Sequence, residues 1–166
     1  DYVETFETNG GLWMKRLEAP TWETGIPGFG IDPPSGSKVW MTRLIDHYPN
    51  GDSAFVESGC YSNAEGLRKI LEMKYWMQTE TPDDGASMEY SIDNGNTWQA
   101  LDTLMGIWDW YTGNVNALQT RGWTGNSNGW TVPRILLPKA GIPYLVGMNI
   151  VIPPLQDRFK ELFSEW

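Results

Sequence analysis

The chain has 166 residues, 40% of them hydrophobic, and 21 acidic side chains against 12 basic ones, a net charge of −9. That length is most economically one domain, residues 1–166, whose core removes about 70% of the unfolded surface from water. The acidic balance repels phosphate backbones and anionic lipid and so argues against nucleic acid as a partner. The lone Cys60 rules out an intrachain disulfide and a cysteine-based zinc cluster, and no apolar run approaches the roughly 20 residues of a membrane span, which argues against membrane insertion. The first residues, DYVETFETNGG, do not read as a signal peptide, so export implies that a signal was removed before them.

Alternation and turn residues dominate, as in a protein of many short strands. Tyr2 to Glu7 alternates like a first strand and stops at Asn9-Gly10-Gly11. Residues 20–37 hold so much Pro and Gly that they read as a long ordered loop. Lys38 to Leu44 and Ser53 to Ser58 read as strands on either side of a polar loop, Asp46 to Asp52. Residues 70–78 alternate for much of their length, as a half-buried central strand does. A strand from Ala86 to Ser91 follows Asp83-Asp84-Gly85.

The most informative stretch is Tyr90-Ser91-Ile92-Asp93-Asn94-Gly95-Asn96-Thr97-Trp98. Its spacing predicts a hairpin in which Asp93 caps turn amides, Asn94-Gly95 supplies the positive φ angles and Trp98 folds back. Residues 105–130 are rich in Gly, Asn and Trp, and residues 134–138 read as a strand ending in a turn. Over residues 155–166, Phe159, Leu162, Phe163 and Trp166 recur at i, i+3, i+4 and i+7, one apolar face of a short C-terminal helix.

Ser-x-Asp-x-Gly-x-Thr-Trp resembles the Asp-box. The order Phe6-Glu7 with Gly-x-Trp, Ser37-Lys38-x-Trp40-x-Thr42, Tyr48-Pro49-Asn50-Gly51-Asp52-Ser53, Glu57-Ser58 with Cys60, Tyr75-Trp76, Asp84-Gly85-Ala86, the Asp-box and Trp123-Thr124-Gly125 to Gly129-Trp130 resembles MAM-like jelly-roll modules of secreted, multidomain bacterial surface proteins. Reelin subrepeats are similar in setting an Asp-box within a jelly roll. The resemblance covers roughly residues 1–140. It implies an all-β fold, a two-sheet antiparallel jelly-roll sandwich, placed outside the cell or on its surface. The implied role is non-catalytic: adhesion, carbohydrate contact or positioning of a neighbouring domain. It also implies a structural calcium ion (Ca2+), for which Glu7, with Asp46 and Asp52 as loop candidates, would supply ligands. The closing strand of that family is absent. Residues 145–154 run Leu-Val-Gly-Met-Asn-Ile-Val-Ile-Pro-Pro towards the helix instead, so either the chain is a variant or its last strand comes from elsewhere.

Ten tryptophans are several times the usual share for this length. Most belong in a β core, but indoles also form stacking platforms for sugar rings. Consecutive large residues on a strand cannot all face inward, which points to Trp108, Asp109, Trp110 and Tyr111 as a surface ridge. Trp123 and Trp130, with Asn126 and Asn128, complete the candidate platform, the asparagines and Asp109 bonding hydroxyls; Trp123 and Trp130 would alternatively pin their loop to the sandwich. His47, the only histidine, sits in a hydrophilic loop and offers no triad. The carboxylates Glu72, Glu80, Asp83, Asp84, Glu89, Asp102 and Asp109 have no fixed pairing of the kind glycoside hydrolysis needs. The reading is a non-catalytic binding module for carbohydrate or a surface protein. A structural protein-interaction module and a carbohydrate-active hydrolase or lyase are the alternatives.

Overall fold

The computed structural model describes residues 3–15, 21–61, 69–102, 106–137 and 145–151. In chain order the strands are β1 (Met14–Lys15), β2 (Trp22–Gly25), β3 (Val39–Thr42), β4 (Ser53–Glu57), β5 (Ile70–Glu72), β6 (Gly85–Ser91), β7 (Gln99–Ala100), β8 (Gly106–Trp108), β9 (Gly113–Val115), β10 (Thr120–Gly122), β11 (Arg134–Leu136) and β12 (Leu145–Val151). No helix occurs among the described residues, so none there is long and apolar enough to cross a membrane. The fold is all-β, and its strand pairs are antiparallel.

The largest sheet has the order β1-β4-β12-β6-β7, and a three-stranded sheet has the order β5-β11-β8. Hairpins β2-β3 and β9-β10 complete the set. Period-2 alternation sends Ala54 and Val56 of β4 inward and leaves Ser53 exposed, while Ala86 and Met88 of β6 reach the same core. Ile135 of β11 enters that core from the smaller sheet. Trp22, Leu101, Trp110, Trp123 and Leu137 fill the remaining space. At about 1.5–3 kcal/mol for each large side chain fully buried, this cluster is the main source of stability.

One backbone contact is unusually tight. Trp123 N donates to Ala86 O at 2.8 Å and Ala86 N to Trp123 O at 2.9 Å, drawing β6 against the chain leaving β10. A Cβ on Gly122 would lie 2.4 Å from Ala86 O and one on Gly85 2.4 Å from Trp123 O, so only glycine fits at either position.

The Asp93 turn forms as its spacing predicts. Asp93 Oδ1 accepts from Thr97 N at 2.8 Å and Oδ2 from Thr97 Oγ1 at 2.6 Å, with Asn94 and Gly95 at φ 60° and 85°. Ser91 Oγ donates to Asp93 Oδ1 and accepts from Gly95 N. Trp98 folds back, its Nε1 donating to Gly95 O at 3.1 Å and its ring meeting Phe55 edge-on at 4.9 Å.

Several expectations are corrected. Residues 3–6 form no strand, because Phe6, Asn9, Gly10 and Gly11 all have positive φ and turn the chain. The Pro/Gly-rich segment is not wholly loop, since Trp22–Gly25 pairs with Val39–Thr42 and buries Trp22. Only Ile70–Glu72 of the alternating 70–78 run is strand, and it is an edge strand; Tyr75 and Gln78 make isolated bridges to Thr131 and Asn126. Leu145–Val151, read only as a run leading towards the helix, is itself a strand that lies between β4 and β6 and pairs with both. The helix expected over 155–166 lies outside the described residues.

Candidate functional site

Three exposed side chains line up across the smaller sheet. Arg134 on β11 stands opposite Glu72 on β5 and opposite Trp108 on β8. Directly opposed residues share a face, so all three project from the side away from Ile135. Arg134 Nε donates to Glu72 Oε2 at 2.5 Å, and its guanidinium carbon lies 5.7 Å from the Trp108 ring centroid. The ion pair and the cation–π contact hold the arginine between a carboxylate and an indole. Trp108 remains 58% exposed, the only exposed tryptophan among the described residues. Ile70, also exposed, lies on this strand two residues from Glu72 and extends the face.

The other predicted ligand residues go elsewhere. Trp110 is 4% exposed and its Nε1 donates to Leu101 O at 2.9 Å. Trp123 is 1% exposed, with Tyr111 and Trp110 edge-on to it at 4.8 and 4.9 Å and Tyr75 at 5.3 Å. Rings enclosed in this way offer no face to a sugar. Tyr111 turns its hydroxyl onto Met88, accepting from its N at 3.1 Å and donating to its O at 3.2 Å; burial pushes its pKa up to about 12.

The ridge splits because β8 ends at Trp108 and Asp109 adopts φ 45°. That left-handed residue breaks the alternation that would have kept Trp108 and Trp110 on one face, and Asp is among the few side chains that tolerate it. Asp109 itself is exposed beside Trp108.

Asn126 and Asn128 are exposed, but Asn126 Oδ1 accepts from Asn128 N at 2.7 Å and Asn128 takes φ 52°, so this pair shapes its own loop. Trp130 is half-buried and its Nε1 donates to Asp32 O at 2.7 Å, which ties the 26–37 loop down.

The three carboxylates suggested for calcium serve separate segments. Glu7 accepts from Ser37 N at 2.7 Å, Lys38 N at 2.8 Å and Ser37 Oγ at 3.0 Å, and these donors hold its pKa below the usual glutamate value. Amide and hydroxyl donors satisfy an anion; a hard cation needs oxygen ligands instead. Asp46 caps His47 N at 2.8 Å, and Asp52 accepts from Thr21 Oγ1. Among the described residues, no three His, Cys, Asp or Glu side chains form a group that could hold a metal ion. Among the described residues Glu7, Asp46 and Asp52 are thus engaged in separate contacts and are not gathered into one group.

Glu72 was considered as a carboxylate but not as Arg134's partner, and Arg134 carried no local signal. Their alignment with Trp108 depends on register between strands more than 20 residues apart, which no short motif reports. Comparison of the chain with protein-family models and with curated proteins finds no match.

Proposed function

We propose that the chain is a non-catalytic jelly-roll module of an exported protein and that it binds carbohydrate at a cell surface through the face built by Trp108, Arg134 and Glu72. The observation that carries this reading is the exposure of Trp108, when among the described residues Trp22, Trp110 and Trp123 are spent on the core and Trp40, Trp98 and Trp130 on tethering turns. An indole presents a flat apolar surface to the C–H face of a pyranose, while Arg134, Glu72 and Asp109 offer donors and acceptors at its edge. The net charge of −9 favours neutral glycans over polyanionic ones.

A glycan array probed with the whole chain tests the proposal. Wild type is expected to retain a set of neutral polysaccharides, and Trp108→Ala to lose about tenfold or more in affinity, about 1.4 kcal/mol, with an unchanged circular dichroism spectrum. Equal retention by both would refute it. A protein-contact face is the second reading, favoured by exposed Ile70 beside Glu72; it predicts an empty array and a bound surface protein that Trp108→Ala releases.

A further inference from the structure

Asp84 has little to do with the Trp108 face, yet it is the least comfortable side chain in the structure. It is 2% exposed, it immediately precedes β6, and its Oδ1 is buried with no hydrogen-bond partner among the described residues. Its other oxygen accepts one long bond, from Tyr48 Oη at 3.4 Å. An ionised carboxylate taken out of water is costly unless donors or a cation compensate it, and a single long hydroxyl bond compensates poorly.

The surroundings make ionisation harder. From its own turn, Glu80 and Asp83 act on it as like charges, while the Tyr48 hydroxyl of the 46–52 loop and the Glu80 amide favour the ionised form without offsetting burial and the Glu80 charge. Asp83 is oriented by Asn116 Nδ2 at 2.6 Å, an uncharged donor from the turn after β9. Asp84 N donates to Glu80 O at 2.8 Å and Thr79 Oγ1 to Asp84 O at 3.3 Å, so the backbone cannot turn the carboxyl outward without breaking the turn. Thr79 is in turn stitched to Gly125, with N to O at 3.0 Å and Gly125 N to Thr79 Oγ1 at 2.9 Å. The carboxyl therefore sits where the 46–52 loop, the 79–84 turn and the 124–125 segment meet.

We infer that Asp84 is a proton-operated clasp that holds the 46–52 loop against the 79–84 turn while it is protonated and loosens that contact when it ionises. The protonated acid carries no net charge, so its burial beside Tyr48 costs far less and the repulsion from Glu80 and Asp83 vanishes. Ionisation strengthens the Tyr48 bond but restores the larger penalties of burial and of Glu80, and so favours an opening that lets water reach Oδ1. In keeping with this, burial first, then Glu80, raises its pKa from 3.8 to about 6. A folded-state pKa above the unfolded value means that the stabilisation is fully present below the ordinary aspartate range and is lost as pH rises through about 6.

Side-chain carboxyl NMR on the full chain reads the group directly. Asp84 is expected to titrate with a midpoint about 2 pH units above an ordinary aspartate, and Glu80→Gln to lower that midpoint. Amide exchange over residues 46–52 and 79–84, corrected for intrinsic rates, should accelerate between pH 5 and 7 in wild type and lose that dependence in Asp84→Asn. A midpoint in the ordinary aspartate range, or one that ignores Glu80→Gln, overturns the inference even if Asp84→Asn fails to fold. The same pH response in a folded Asp84→Asn overturns it as well.

Discussion

Trp123 is 1% exposed and is enclosed by three aromatic rings, those of Tyr75, Trp110 and Tyr111. Replacing it or Trp110 by Ala should cost about 3–5 kcal/mol, the usual range for emptying a large aromatic site in a core. Urea denaturation checks this, and Trp108→Ala in the same assay should stay within about 0.5 kcal/mol of wild type, as surface substitutions do. At Asp93 the hydroxyl and amide of Thr97, then Ser91, pull the pKa down to about 2. A depressed folded-state pKa contributes stability that is present above the ordinary aspartate value and lost as pH falls through about 2. Asp93→Asn should therefore flatten the acid limb of a stability curve below pH 4, a change that a pH series of thermal melts would show. The Asp93 turn was legible in sequence because all its partners lie within a few residues. The sorting of Trp108 from Trp110 was not, since it depends on one left-handed Asp109 and on a partner sheet brought by the fold.

At the scale of elements, close backbone approach matters more than any single side chain. β6 and the chain after β10 are held by the reciprocal Ala86–Trp123 bridge, and Gly122 is the position that permits it. Gly122→Ala puts a methyl group 2.4 Å from a carbonyl oxygen, against backbone that cannot swing aside. A loss of about 1–3 kcal/mol is expected, as for other overpacked sites, with increased amide exchange in β6. Strands with clean alternation, β4 and β6, were readable in advance. Trp22–Gly25 was hidden among prolines and glycines because its pairing with Val39–Thr42 is what makes it a strand. Leu145–Val151 was misjudged for a related reason: its partners β4 and β6, which flank it in the sheet, lie about 60 to 90 residues earlier.

Across the whole molecule, an acidic protein commits Trp22, Trp110 and Trp123 to its core, uses Trp40, Trp98 and Trp130 to tether turns, and leaves Trp108 exposed on a sheet face. Composition showed the excess of indoles; only the tertiary arrangement shows that, among the described residues, Trp108 is the exposed one. Among the described residues Glu7, Asp46 and Asp52 do not come together, and the account of binding rests on the sheet face. The most direct test is an indole 1H–15N NMR titration of the whole chain with an oligosaccharide retained on the array. The account predicts that the Trp108 indole resonance shifts most and saturates with binding while those of Trp110 and Trp123 stay near their free positions. Saturable binding that leaves Trp108 unmoved would contradict it.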